Sequence, residues 1–365
     1  MQLRNIISRM RGKSQTVGLD IGHRLIKVAV VGHKKQSSSG VLLALGQEPL
    51  PEGIIVDNEI KNLAVLTDKI QSLLFRVMPG GVDGDFIASV NWTSGILCDR
   101  ILVKPLPKKA RIPEKRHILD TAMARSPFDD GNNVLDCSII ERREEGTEAM
   151  IVAAKKDVLE KWVDLFKSLG IKLMAIDVDI FALTNAYYLS SASEQDDDDS
   201  ILLLNLGFNK AYLASLRDGR FNTARSIMGC SIQELQEQLM NSLKISNEQA
   251  SDLLMGNEVK DTNVAEARLK SAKEFTFDEI HTKIDTAIRY FSSSDNYRIA
   301  TKMIIVGGST IDGLVPYLAQ KLSLEVTQLN PFKTVQIKTS RFQGKDLTAM
   351  SSAYSIALGL ALRKF

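Results

Sequence analysis

Two segments of this chain, 185 residues apart, follow one plan, and that repetition constrains the fold more than any other feature. The first reads Val17-Gly18-Leu19-Asp20-Ile21-Gly22-His23-Arg24-Leu25-Ile26-Lys27, an apolar strand with one polar residue, a glycine turn and a second strand. The other reads Leu203-Leu204-Asn205-Leu206-Gly207-Phe208-Asn209-Lys210-Ala211-Tyr212, with Asn205 in the place of Asp20 and Gly207 in the place of Gly22. Each opens a set of three predicted strands, at 16–21, 25–31 and 41–45 and again at 201–206, 211–216 and 221–227. The spacing is far too long for solenoid repeats and natural for a duplicated domain. A chain of 365 residues has room for two or three such units.

The rest of the chain reads as α/β. Leu63, Leu66, Ile70, Leu73 and Leu74 share one helical face. Residues 86–170 look like a smaller unit, with strands near 86–90, 100–103, 135–141 and 150–153, a helix opened by Pro113, and an amphipathic helix at 156–169 ended by Gly170. A strand at 171–178 and a helix at 181–189 follow. The run 193–200, with four consecutive aspartates from Asp196 to Asp199, is the clearest linker, because such a charge block cannot be buried. After the second strand set, 229–299 read as a helical insertion, 302–306 as a strand running into Gly307-Gly308-Ser309, and 350–363 as an apolar closing helix.

Composition removes several functions. With 46 basic and 44 acidic side chains the formal charge is +2, too small for nucleic acid to be the main partner by bulk electrostatics. Three scattered cysteines, Cys98, Cys137 and Cys230, give no disulfide framework and fit a reducing, cytoplasmic compartment. No apolar run approaches the roughly 20 residues a membrane helix needs. Residues 1–13 carry Arg4, Arg9, Arg11 and Lys13 without an acid, and Leu3, Ile6, Ile7 and Met10 recur at helical spacing. This basic amphipathic tail is not read as a signal peptide; it suits either an anionic membrane surface or its own domain. The four histidines show no zinc spacing, Gly12-Lys13-Ser14 lacks the strand and first glycine of a P-loop, and Lys108, Lys109, Arg111, Lys115 and Arg116 lie without aromatics, as a solvated helix start or a protein contact face.

The repeated turns carry the chemistry. A glycine between two strands lets backbone N–H groups approach a phosphate, and a carboxylate on the strand can hold a hydrated Mg²⁺ beside it. Plain structural turns have the same appearance. Gly307 and Gly308 would let backbone lie against a flat ring.

These residues resemble the actin-like ATPase superfamily, and within it the FtsA/PilM branch. The resemblance rests on Gly18-Leu19-Asp20-Ile21-Gly22 with Lys27, on Ala124-Arg125-Ser126-Pro127-Phe128 before Leu135-Asp136, and on Ile151-Val152-Ala153-Ala154. It continues through Ala175-Ile176-Asp177-Val178-Asp179-Ile180-Phe181-Ala182, Val306-Gly307-Gly308-Ser309 and Ala357-Leu358-Gly359-Leu360-Ala361. It implies two RNase H-like lobes with ATP between them: lobe one at 14–85 and 171–192, a small FtsA/PilM-type subdomain at 86–170, an acidic linker at 193–200, lobe two at 201–228 and 300–365, and a helical insertion at 229–299. Gly22, His23 and Arg24 would form one phosphate loop, Gly207, Phe208, Asn209 and Lys210 the other, and Gly307, Gly308 and Ser309 the adenosine contact. Asp20 and Asn205 would face Mg²⁺ through water. Asp179, with Asp177 as the neighbouring alternative, would position the attacking water; a strand-end cap explains either aspartate equally well.

The departures from the pattern bear on turnover. The second phosphate loop usually has Asp where this chain has Asn205, and a neutral amide is a poorer partner for hydrated Mg²⁺. Lys210 is a competent phosphate binder and equally a turn lysine. The resemblance implies an ATP-binding scaffold of the type IV pilus inner-membrane platform that docks the cytoplasmic tail of a PilN-like bitopic membrane protein, with slow or no hydrolysis. The alternatives are an FtsA-like, membrane-tethered polymerising ATPase and a small-molecule kinase, which Asn205 disfavours.

Overall fold

The computed structural model describes residues 15–33, 40–92, 95–106, 111–125, 127, 131–191, 200–217, 219–292, 299–307, 311–333, 335–338, 342 and 346–363. Strands β1 (Gln15–Ile21), β2 (Leu25–Gly32) and β3 (Val41–Pro49) form an antiparallel meander. A two-residue turn at Asp57 and Asn58 joins β4 (Ile55–Val56) to β5 (Glu59–Ile60), with φ of 49° and 66°, the left-handed region that Asp and Asn tolerate. Helix α1 (Leu63–Val77) starts where the Asn62 side chain accepts the Val65 N–H, and buries Leu66, Ile70, Leu73 and Leu74. Strand β6 (Asp85–Val90) then runs parallel to β1.

A separate small sheet follows, formed by β7 (Ile96–Val103), β8 (Asn133–Arg143) and β9 (Gly146–Lys155) in the order β7-β9-β8, with α2 (Glu114–Met123) against it. Its core is Ile101, Val103, Ile118, Ala122, Ala149, Ile151 and Ala153. Helix α3 (Lys156–Ser168) leads back to β10 (Leu173–Val178), parallel to β6, and α4 (Asp179–Ser190).

The plan then repeats. Strands β11 (Ser200–Leu206), β12 (Ala211–Arg217) and β13 (Arg220–Ile227) form a second antiparallel meander. Helices α5 (Ile232–Leu243), α6 (Asn247–Met255) and α7 (Glu266–Ser292) follow, α5 and α6 each begun by a serine capping box. Strand β14 (Lys302–Val306), α8 (Leu314–Leu322) and β15 (Glu325–Gln328) then complete the sheet. The order β13-β12-β11-β14-β15 matches β3-β2-β1-β6-β10 strand for strand, antiparallel on one side of the first strand and parallel on the other. Strands β1 and β11 are buried along almost their whole length, so both read as near-continuous apolar runs interrupted near their ends by Asp20 and Asn205.

The last part of the chain returns to the first sheet. β16 (Gln336–Ile337) pairs with β3, and α9 (Leu347–Met350), a 3₁₀ turn (Ser351–Tyr354) and α10 (Ser355–Ala361) close the chain. Helix α10 lies against β1, β2, β6 and α4. A Cβ at Gly18 would stand 1.9 Å from the Ala357 carbonyl oxygen, and one at Gly359 1.9 Å from that of Ala182, so both glycines let backbones touch.

Two of the expected boundaries are therefore corrected. Residues 86–90 belong to β6 in the six-stranded sheet, and the small unit's sheet begins at Ile96. Of the stretch 300–365, β14, α8 and β15 join the second sheet, whereas β16 and α10 pack on the first, because the buried faces of Ala29, Val31 and Leu42 are covered by Phe332, Tyr354, Ala357 and Leu358. The tail at 1–13 and nearly all of the acidic run at 193–200 lie outside the described residues.

Candidate functional site

The two glycine turns close in the same way. The Gly22 N–H donates to the Leu25 carbonyl at 3.0 Å, and the Gly207 N–H donates to the Lys210 carbonyl, also at 3.0 Å. A Cβ at Gly207 would lie 2.6 Å from that carbonyl oxygen, so the tight turn requires glycine. Strand register then places Lys27 opposite Asp20 on the first hairpin and Tyr212 opposite Asn205 on the second. Strand β14 runs parallel to β11 and delivers Gly307, at φ 134°, beside Asn205.

These elements face one another across a cavity of about 130 Å³. Its wall includes Asp20, Gly22, His23, Arg24, Asp179, Asn205, Gly207, Phe208, Asn209, Lys210 and Gly307, all named by the sequence pattern. Gly308 and Ser309 lie outside the described residues. Asp177 does not line the cavity: its carboxylate pairs with Arg363 and also accepts the Val178 N–H at 2.9 Å. The neighbouring alternative for a water-positioning acid is thus corrected, because Asp177 is spent on the C-terminal segment.

Lys27, Asn91, Trp92, Tyr212 and Ser352 also line the cavity, and no site role is expected for them from the sequence pattern. The duplication could have flagged Lys27 and Tyr212, which stand seven residues after Asp20 and Asn205. Trp92 and Ser352 arrive from distant segments without a local signal.

The Lys27 ammonium donates to Asp20 Oδ2 at 3.0 Å, with side chains only 10% and 3% exposed. Asp179 begins α4 directly after β10, and its Oδ1 accepts the Trp92 N–H and the Ile180 N–H, each at 2.8 Å. Asp179 thus lines the cavity while its carboxylate ties the start of α4, through Ile180, to the segment after β6, through Trp92. Burial pushes its pKa up to about 7; the Trp92 amide opposes this and the Asp20 charge adds to it. Burial also lowers the pKa of His23, with help from Lys210, so its imidazole is neutral at pH 7. The Tyr212 hydroxyl is buried near Asp179 and Asn205, its pKa raised by burial and then by Asp179, and its oxygen has no partner at hydrogen-bonding geometry.

Contacts from one unit to the other span the cavity. Lys210 Nζ donates to Asp57 Oδ1 at 2.6 Å, and the hydrogen bond and charge hold the Asp57 carboxyl below its ordinary range. The Arg24 guanidinium lies 4.8 Å over the Phe208 ring. The Trp92 and Tyr212 rings meet edge to face at 5.7 Å. The Asp57 turn is itself anchored, because Asn58 Nδ2 donates to the Asn91 carbonyl at 2.8 Å and Trp162 Nε1 donates to the Asn58 carbonyl at 2.9 Å.

Residues 18–365 match the family model of the type IV pilus assembly protein PilM. The chain belongs to the PilM family. Among solved structures, a PilM–PilN type IV pilus biogenesis complex is similar at 21% identity, with a TM-score of 0.77 and coverage of 95% of this chain and 98% of that chain. Ethanolamine utilization protein EutJ from Carboxydothermus hydrogenoformans is similar at 12% identity and a TM-score of 0.52, covering 95% of this chain and 89% of that one. MreB5 of Spiroplasma citri bound to AMPPNP is similar at 10% identity and a TM-score of 0.51, over 95% and 94%. The fold is that of the actin-like ATPases. No helix among the described residues is long and apolar enough to cross a membrane.

The residues present suit phosphate better than a metal held by protein alone. Two glycine turns, Lys27, Lys210 and neutral His23 converge, whereas the described residues contain no group of three His, Cys, Asp or Glu arranged to hold an ion. Asp20, already paired with Lys27, offers one carboxylate, so Mg²⁺ would have to be held jointly with phosphate oxygens, as it commonly is.

Proposed function

We propose that the chain is a cytoplasmic, ATP-binding scaffold at the inner face of the membrane in type IV pilus assembly, and that it docks the cytoplasmic tail of a PilN-like membrane protein. The observation that carries the docking is a groove of about 680 Å³ beside β10, the strand that ends the first sheet among the described residues. Its walls are apolar, from Val134 and Val152 of the small sheet, Leu159 and Val163 of α3, and Met174 and Ile176 of β10. Met174 and Val134 are 42% and 44% exposed, large apolar side chains left open to water beside the outer strand of the sheet. A strand edge next to apolar pockets is the geometry that receives an extended peptide, with main-chain hydrogen bonds for affinity and alternate side chains for register.

Bound ATP would supply a run of negative charge between the two glycine turns. Around it, Lys27 and Lys210 offer cations, the turn amides offer donors, and Gly307 gives the backbone a close approach. A cavity of about 130 Å³ is below the roughly 300 Å³ of ordinary small-molecule sites. Nucleotide entry therefore requires the contacts of Lys210 with Asp57 and of Arg24 with Phe208 to part, which couples binding to the angle between the two units. The chemistry favours a conformational role: Asn205 carries no charge, and Asp179, with a pKa of about 7, is only partly ionised at neutral pH and already holds two amides.

A labelled PilN-tail peptide titrated into the protein tests the docking. Met174→Glu and Val134→Glu, at half-exposed positions, are expected to weaken binding at least tenfold, and absence of binding to the unmodified protein with or without ATP would sink the proposal. Calorimetry with ATP, with and without Mg²⁺, together with phosphate release, tests the nucleotide role. Tight binding with negligible release, and release gained in Asn205→Asp, is the expected result; rapid Mg²⁺-dependent release by the unmodified protein would return the motor or kinase reading.

A further inference from the structure

A second cleft, of about 750 Å³, opens between the small sheet and the end of the second sheet, away from the nucleotide cavity and the peptide groove. Four arginines line it, Arg100 and Arg143 from the small sheet and Arg217 and Arg220 from the β12–β13 hairpin, against two glutamates, Glu141 and Glu148. The lining therefore carries an excess of two positive charges.

Hydrogen bonding shows where that charge is left unsatisfied. Glu148 is shared, with its Oε1 3.4 Å from Arg100 and its Oε2 2.9 Å from Arg143, and Glu141 also pairs with Arg143 at 2.7 Å. Arg220 donates to a neutral acceptor, the Ile140 carbonyl, at 2.6 Å, and the other terminal nitrogen of Arg100 donates to the Phe221 carbonyl. These two contacts run in opposite directions between the small sheet and β13, so the cleft walls come from both units. Arg100 Nε is buried and has no acceptor. Burial lowers the pKa of Arg100; Glu148 opposes this, while Arg217 and Arg220 add to it, which means that the cations feel one another. A buried donor without an acceptor beside mutually repelling guanidinium groups is costly unless an anion completes it.

We propose that this arginine cleft is a binding site for a small phosphate-bearing anion that bridges the small sheet and the second unit. A phosphate monoester carries close to two negative charges at neutral pH and three strong acceptor oxygens, which matches the excess charge and allows guanidinium groups from both walls to share one group. A carboxylate brings one charge and two oxygens, and two are already present.

Calorimetric titration of inorganic pyrophosphate into the full chain tests the site, with orthophosphate and glycerol 1-phosphate in parallel to separate a free ion from an ester. Arg220→Ala is expected to weaken one binding event at least tenfold, Arg220→Lys to retain it within about threefold because the charge is kept, and Lys210→Ala to leave it unchanged. Arg220 is exposed, so its variants fold, as near-ultraviolet circular dichroism would verify. The proposal is overturned if no pyrophosphate binds at millimolar concentration, or if the event survives Arg220→Ala and disappears in Lys210→Ala, which would place the ion between the glycine turns. It is equally overturned if replacing Asp196 to Asp199 by asparagine is required before binding is seen, because the chain's own acidic run would then be the occupant.

Discussion

Removing the Lys27 ammonium leaves the Asp20 carboxylate buried and unpaired. Asp20 is 2% exposed, and beyond Lys27 its nearest side-chain partner is the Ser89 hydroxyl, at a long 3.5 Å. At the 3.0 Å separation of the pair, and with an effective dielectric constant of roughly 20, the Coulomb attraction is about 5 to 6 kcal/mol. Desolvation of both groups offsets much of that in the wild type, but deleting one partner keeps the desolvation of the other, and such deletions cost about 3 to 5 kcal/mol. Lys27→Met, which keeps the apolar stem, should therefore lower the melting temperature of the nucleotide-free protein by roughly 6 °C or more. The double variant Asp20→Asn with Lys27→Met should recover at least half of that loss, because an amide is cheaper to bury than a lone carboxylate. Thermal melts of the wild type, both single variants and the double variant at pH 7 decide the matter. If Lys27→Met melts within 2 °C of wild type, or the double variant is no better than Lys27→Met, Asp20 and Lys27 are not the coupled pair described here.

Asp179→Asn tests the buried carboxyl at the start of α4. Because its folded pKa, about 7, lies above the ordinary 3.8, the ionised form costs the fold nothing below about pH 4, an increasing amount as pH rises to 7, and on the order of 4 kcal/mol above that. The variant's stability relative to wild type in urea should therefore improve between pH 5 and pH 8, and a pH-independent difference would contradict the assignment. At the cavity proposed for nucleotide, Lys210→Met should weaken ATP binding about tenfold in calorimetry, whereas Asp57→Ala should strengthen it by releasing Lys210; failure of the opposite signs to appear would remove Lys210 from the site. At the glycine contact with α4, Gly359→Ala should cost about 3 kcal/mol or more, because its Cβ meets backbone that cannot rotate away and the Asn185 side-chain bond to the Gly359 carbonyl must also shift; an unchanged melting temperature would refute this.

Much of the cavity between the glycine turns was legible because hairpins are local. A polar residue two positions before a glycine, on an apolar strand, marks a turn whose amides and side chain face one end of a sheet, and repeating it 185 residues later marks a second sheet built the same way. Helix α3 was equally readable, since Trp162, Leu165 and Phe166 fall on one face and Gly170 follows. Asp177 and Asp179 were not separable, because the difference between them is a partner, Arg363, that lies 186 residues further on.

By itself, then, the sequence determined the duplicated three-strand units, the glycine turns, the loss of the second carboxylate at Asn205 and the helix ends, all of which depend on residues within a few positions of one another. Tertiary structure alone decided that β6 lies beside β1, that α10 crosses back to cover the first sheet, that Lys27 neutralises Asp20, and that the small sheet leaves an apolar groove on one side and an arginine cleft on the other. Parallel pairing and helix docking join segments whose separation has no local signature, so their partners are chosen by which buried surfaces and charges fit once the local elements exist.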